Sequence, residues 1–199
     1  WAGDDDLDDP FNAKICAGLQ RLSQSGVPLF FMAGNRDFLA GDGFASKAGL
    51  TLLPDPALVE IAGASVLLMH GDTLCTDDDA YQMFRTEVRS PEWRKSFLAL
   101  PLDQRKAKIE ALRQESEAQK RAKPAEIMDV NPAAVLQVLT SHRCTRLIHG
   151  HTHRPALHRL AVAGEACERW VLPDWYESGG YLACDASGCR LLEWPPAAV

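Results

Sequence analysis

Three short segments that read as buried strands, the first a nearly unbroken apolar run, each stop at a glycine-flanked polar segment and constrain this chain more than any other feature. Val27–Ala33 leads into Gly34-Asn35-Arg36-Asp37, Ser65–Met69 into His70-Gly71-Asp72, and Thr145–Ile148 into His149-Gly150-His151-Thr152-His153. The run Val27–Ala33 predicts a strand covered on both faces, and Ser65–Met69 and Thr145–Ile148 predict short buried strands, the pattern of a sheet covered by other layers. In such α/β folds ligands bind beyond the C-terminal ends of the strands, so three polar segments at three strand ends predict one shared site. Glycine at 34, 71 and 150 would allow the loops backbone shapes closed to other residues.

The rest of the chain supplies the elements that an α/β (α+β) fold needs. Phe11, Ile15, Leu19 and Leu22 recur at helical spacing and Gly26 follows, predicting an amphipathic helix over roughly 10–24. Leu58–Ile61, Ala62-Gly63 and Ser65–Met69 predict a hairpin. Asn131-Pro132 is an N-cap and first-turn pair for a helix running to about Ser141. After Pro155, turn signals at Ala163-Gly164, Gly179-Gly180 and Ser187-Gly188 predict an antiparallel meander closing a second sheet. Residues 79–123 predict a helical insertion broken at Pro91 and Pro101. The expected organisation is a core of 1–78 and 124–199 with 79–123 inserted.

Composition excludes several classes. The net charge of −6 argues against a general nucleic-acid binder, which would carry a basic face. Within 92–123, however, nine Lys/Arg face five Asp/Glu, leaving −10 on the remainder. No run reaches the ~20 apolar residues of a membrane-spanning helix. The cysteines, at 16, 75, 144, 167, 184 and 189, show no Cys-x-x-Cys pair and sit mostly in apolar runs, as reduced core thiols of a cytoplasmic protein would. The chain opens Trp-Ala-Gly-Asp-Asp-Asp without initiator Met or leader pattern, and is expected to be a fragment.

The chemistry follows from the donor types. Imidazoles from His70, His151 and His153 with the Asn35 carbonyl oxygen form an N/O set suited to Mn, Fe or Zn. His151 and His153, two apart in an expected extended segment, would point the same way and reach two adjacent metals. Two metals can lower the pKa of a water and neutralise both oxygens of an in-line phosphoryl displacement. Arg36 could contact the phosphate as charge develops. His142, at a helix C-terminus, and His158, in an expected exposed strand, are structural in this reading. His149 reads as a residue behind the ligands or as a strand-end residue rather than as a ligand.

These residues resemble the calcineurin-like metallophosphoesterase family, whose motifs match Gly34–Asp37, His70 and Gly150–His153. Longer stretches, among them Met69–Asp78, Phe97–Leu102, Ile127–Asn131 and Leu147–Pro155, resemble a branch of that family acting on a UDP-linked diacyl sugar lipid in lipid A biosynthesis. The resemblance implies a four-layer αββα sandwich with 79–123 as a helical cap over the acyl chains. It also implies two Mn²⁺ ions, with Mg²⁺, Fe or Zn as alternatives, and water attack on the α-phosphate releasing UMP. By position, Asn35, His70 and His151 would bind one metal and His153 the other. Asp78, Ser116, Lys120 and Lys123, with Asn35, Arg36 and His151, would contact substrate. The branch implies a peripheral protein on the cytoplasmic side of the inner membrane. The basic, apolar-cored insertion suits a lipid substrate or an anionic membrane. The family's Asp-x-His and Gly-Asp segments are expected before Trp1, and Asp4–Asp6 are expected to form an exposed acidic loop rather than replacement ligands. A generic metal-dependent phosphodiesterase, a metal-poor scaffold and, less favoured by charge, a nuclease are the competing readings.

Overall fold

A computed structural model describes residues 1–122, 127–176 and 179–195, with side chains up to 118 in the first stretch. It is mixed α/β and falls into two compact units, residues 1–54 with 78–125 and residues 55–77 with 126–199. Among the described residues no helix is long and apolar enough to cross a membrane.

In the first unit, α1 (Pro10–Gln24) starts where the Asp9 carboxylate accepts from the Phe11 and Asn12 N–H groups, with Pro10 in the first turn. The predicted helix is therefore present, but its core stripe differs from the expected one. Cys16 and Leu19 pack with Phe44, Ala48, Phe31 and Leu52, whereas Phe11 is 70% exposed and Ile15 and Leu22 also face outward. The α1 face that meets α2 (Asp42–Ala48) is the narrower Cys16 side. β1 (Phe30–Met32) pairs in parallel with β2 (Thr51–Leu53), Phe30 opposite Thr51. The expectation of full burial fails for β1: Phe30 is 61% exposed, because this two-stranded sheet leaves one of its faces uncovered among the described residues.

Residues Asp4–Asp6 correct another expectation. They form a 3₁₀ turn instead of an exposed loop, and each carboxylate has a structural task. Asp4 accepts from the Gly41 and Phe44 N–H groups at 3.1 Å each, capping α2 from a distant segment. Asp6 is buried and pairs with Lys106 at 2.7 Å. Asp5 pairs with Arg105, a residue only 1% exposed, whose side chain also donates to the Ala2 and Leu100 carbonyls. That hydrogen bond is the main cause holding the Asp5 carboxyl below its usual range.

Residues 79–122 are helical and broken at both prolines as predicted: α3 (Asp79–Val88), α4 (Pro91–Leu98) and α5 (Leu102–Ala122). Asp78 accepts from the Tyr81 N–H and Ser90 from the Trp93 N–H, so each of the first two helices has a side-chain cap.

The second unit is built on a five-stranded sheet. Its strands are β3 (Ala57–Ile61), β4 (Ala64–Met69), β5 (Arg146–His149), β6 (Ala156–Val162) and β7 (Glu165–Val171), ordered β3-β4-β5-β7-β6. β4, β5 and β7 run parallel in the centre, with antiparallel β3 and β6 at the edges. α6 (Pro132–His142), capped by Asn131 as predicted, places Val135 and Leu139 against Leu67, Leu147 and Cys167 on one face. On the other face Val66, Ile148 and Trp170 meet Leu182 and Leu191 of the hairpin β8 (Gly179–Asp185) and β9 (Gly188–Trp194). Side chains alternate across a strand, so adjacent residues such as Val66 and Leu67 serve opposite faces. Fully burying a leucine such as Leu67 or Leu147 contributes roughly 2 kcal/mol.

Two sequence expectations change in this unit. β6 and β7 extend the central sheet rather than closing a second one, and Gly179-Gly180 open β8 instead of turning the chain. Cys184 and Cys189 are joined by a disulfide, with Cα atoms 4.1 Å apart, because the hairpin register sets them directly opposite. Cys16, Cys75, Cys144 and Cys167 are free and buried, as expected.

Candidate functional site

β4 and β5 are parallel neighbours in register, Met69 opposite His149, so the segments following them leave the same edge of the sheet. The Gly150 N–H donates to the His70 carbonyl at 3.0 Å and ties the two loops together. The His70 and His151 rings then lie with centroids 5.0 Å apart at 72°. The His70 N–H in turn donates to Asp55 Oδ1 at 3.3 Å. Two of the three sequence-predicted strand ends are thus brought together within this unit.

Of the three strand-end glycines that would allow unusual backbone, only Gly71 uses it, with a left-handed φ of +110°. A Cβ there would stand 2.8 Å from Nδ1 of His149 and 3.1 Å from the Gly150 carbonyl, so the close approach of the two loops itself requires glycine. His151 and His153 adopt φ of 66° and 54°, which corrects the expected extended segment. The Thr152 N–H folds back onto the Gly150 carbonyl at 2.8 Å and bends the chain there. His151 consequently faces His70, while His153 faces Asp174, at 3.4 Å, and the Tyr176 ring.

His149, the last residue of β5, is 0% exposed. Burial is the main reason its pKa falls to about 4, and the neighbouring Arg169 lowers it further. Nε2 lies 3.1 Å from Nη1 of Arg169 and Nδ1 lies 2.9 Å from the Gly150 carbonyl. Next to it, Asp129 accepts from Arg154 at 2.6 Å and from the Val130 N–H at 2.7 Å. His142 ends α6 and bonds the Val138 carbonyl through Nδ1, a structural role as expected. His158 is half-buried on β6.

Asn35 and Arg36 belong to the first unit, in the loop after β1. There Arg36 pairs with Glu117 of α5 at 3.1 Å and its carbonyl accepts from the Trp1 amino group at 3.0 Å. Asp37, pushed up by burial, accepts from the Gly34 N–H. The loop opens on a cavity of about 400 Å³ within this unit, in the size range of small-molecule sites. Phe38, Tyr81, Phe84, Trp93, Phe97 and Ile109 give it an apolar wall, and Asn35, Arg36, Arg113 and Ser116 a polar one. Trp93 stacks on Phe97 with centroids 4.5 Å apart, and Arg89 sits 5.4 Å over the Phe38 ring. Asp78 is buried as the α3 cap. Lys123 and the side chain of Lys120 lie outside the described residues.

Comparison with known proteins fixes the family. No family model matches the chain. A UDP-2,3-diacylglucosamine hydrolase of Aromatoleum aromaticum is 50% identical over 199 residues, 100% of this chain and 78% of that protein. Proteins of the same name from Pseudomonas putida and an Enterobacter species are 48% and 46% identical over 96% and 98% of this chain, covering 79% and 81% of their own lengths. The chain belongs to the UDP-2,3-diacylglucosamine hydrolase family.

For this member of the UDP-2,3-diacylglucosamine hydrolase family, the second unit can be tested for its fit to a metal. Two imidazoles 5.0 Å apart are the right donors for a borderline divalent ion. Thr73 Oγ1 and Thr152 Oγ1, buried in the same two loops, have no hydrogen-bond partner among the described residues. The donors therefore fit in kind. Among the described residues, however, no group of three or more His, Cys, Asp or Glu is gathered as a metal site.

Sequence reasoning missed Arg169, Asp174 and Tyr176, and of the cavity's aromatic wall it singled out Trp93 and Phe97 but not Tyr81 or Phe84. Arg169 carried a usable signal, a charge directly before the apolar Trp170-Val171 end of β7. Asp174 and Tyr176 lie in an irregular segment with no periodicity to mark them.

Proposed function

We propose that this chain hydrolyses the pyrophosphate bond of UDP-2,3-diacylglucosamine, giving UMP and 2,3-diacylglucosamine 1-phosphate in lipid A biosynthesis. The observation that carries this reading is 44–50% identity, over 96% or more of the chain, to proteins of that name. His70, His151 and His153 would hold a Mn²⁺ pair, and Asn35 has the same assignment from its motif alone. When bound, such a pair would lower the pKa of a water and neutralise charge on the reacting phosphate. Arg36, Asp78, Ser116, Lys120 and Lys123 would hold the anionic and polar parts of the substrate. The apolar wall of Phe38, Phe84, Trp93 and Phe97 suits an acyl chain, which supports 79–123 as a lipid-binding cap on a four-layer αββα core. A lipid substrate also supports peripheral residence at the cytoplasmic face of the inner membrane.

The test is UMP release from the lipid substrate by the full-length protein with Mn²⁺. His151→Ala and Asn35→Ala are expected to abolish release and His158→Ala to retain it. Cleavage of simple phosphodiesters without UMP release from the lipid would leave a generic phosphodiesterase. A metal-poor scaffold is the second reading, favoured by the absence of a gathered His/Cys/Asp/Glu cluster among the described residues. Fewer than one tightly held metal per full-length chain would support it.

A further inference from the structure

We infer that His149 and Arg169 are positioning residues, which lock the His70 and His151 loops at the separation that the metal-dependent reaction needs. This rests on the metal-dependent hydrolase reading above. Arg169 can only donate, so its Nη1 fixes the lone pair of the imidazole on Nε2 and places the ring proton on Nδ1. That proton is then donated to the Gly150 carbonyl, in the peptide that leads directly to His151. The same Nδ1 edge abuts Gly71, the residue after His70, where no side chain would fit. One buried ring therefore touches the backbone next to both facing imidazoles. The Gly150 N–H bond to the His70 carbonyl closes the frame.

The guanidinium is itself held in place. Arg169 sits on β7, which is hydrogen-bonded to β5 in register, Leu147 opposite Arg169 and His149 opposite Val171. Its residue is 9% exposed and Asp129 supplies the nearby negative charge. A ring oriented from a neighbouring strand cannot rotate without breaking two hydrogen bonds, so a loop with two left-handed residues, His151 and His153, keeps one shape.

The test uses the full-length protein and Mn²⁺ alone as probe, by calorimetric or electron-spin titration. His149→Phe keeps the ring volume and removes both bonds, and Arg169→Gln removes only the outer one. Both are expected to weaken Mn²⁺ binding about 10–100-fold, the usual effect of losing a partner behind a metal ligand. His149→Asn, which restores a donor toward the Gly150 carbonyl, should recover part of the loss. Leu139→Ala, a core truncation on α6, should lower thermal stability and leave affinity unchanged. Affinity within about twofold of wild type in both variants, or an equal loss in Leu139→Ala, overturns the inference.

Wild-type protein that binds no Mn²⁺ would instead refute the metal-dependent reading. Two-bond ¹H–¹⁵N spectra of the metal-free wild type then decide the positioning claim on their own, and they also do so if both variants fail to fold. An Nδ1-protonated His149 is expected, and an Nε2-protonated one overturns it.

Discussion

Replacing Gly71 by alanine tests the packing between the two histidine loops directly. Gly71 has φ 110° and ψ −14°, where an L-residue costs ~1–2 kcal/mol in backbone energy alone. The added Cβ would also stand 2.8 Å from His149 Nδ1 and 3.1 Å from the Gly150 carbonyl. Neither neighbour is the free end of a flexible side chain, since the ring is buried and bonded at both nitrogens. Overpacking of this kind costs a further ~1–3 kcal/mol, for a total of roughly 2–5.

Gly63, in the β3–β4 turn, isolates the first contribution. It has φ 77° and nothing within 4 Å of its would-be Cβ, so Gly63→Ala should cost only the ~1–2 kcal/mol backbone part. The assay is denaturant unfolding of both variants and wild type, compared at equal slope. Because Gly71 also abuts the ring behind the His151 loop, Gly71→Ala should lose UMP release beyond its stability loss, and Gly63→Ala should not. A Gly71→Ala midpoint no lower than that of Gly63→Ala would refute the close packing.

Arg105→Met should lower stability by about 1–3 kcal/mol, read by urea midpoint, and Arg105→Lys should recover little because an ammonium cannot span the two carbonyls and Asp5. The lower part of that range is expected because Asp5 is largely exposed and is not left buried without its partner. In the metal-free protein, His149 binds a proton near pH 4 when folded and near 6.5 when unfolded, with Arg169, Asp129 and His151 as the charges around it. The unfolded state therefore takes up protons first, and up to about 3 kcal/mol of stability is lost as pH falls from 6.5 through 4. Urea midpoints that decline over this window as steeply in His149→Gln as in wild type would contradict that. Alkylation of denatured, unreduced protein should label Cys16, Cys75, Cys144 and Cys167 and spare Cys184 and Cys189; mass spectrometry showing all six modified would remove the hairpin disulfide.

What the sequence made legible was local. The α6 cap at Asn131, the β3–β4 turn and the breaks at Pro91 and Pro101 each follow from residue types within a few positions, and all are present. Facing was harder. Phe11 and Phe30 look like core residues in a one-dimensional pattern, yet whether an apolar side chain is covered depends on a partner element that periodicity does not name. The acidic run Asp4–Asp6 misled for the same reason, because its cations and N–H groups come from Gly41, Phe44, Arg105 and Lys106. In the site, the His70–His151 meeting was legible from two strand ends, whereas the left-handed turn at His151 and the Arg169 contact depend on how β5, β7 and the Gly150 loop fit together.

The pairing of β4 with β5 joins segments made far apart in time. Residue 70 leaves the ribosome some eighty residues before His151, and at ~5–20 residues per second that is roughly 4–16 s. Through that interval β3 is the one strand among the described residues already made to pair with β4, and the edge that will receive β5 is still unpaired. The helical residues 79–122 are synthesised within the same window. The sheet edge that later supports the paired histidines is thus, for several seconds of every synthesis, an open template for another chain, and a translational pause between codons 70 and 146 would lengthen that exposure in proportion.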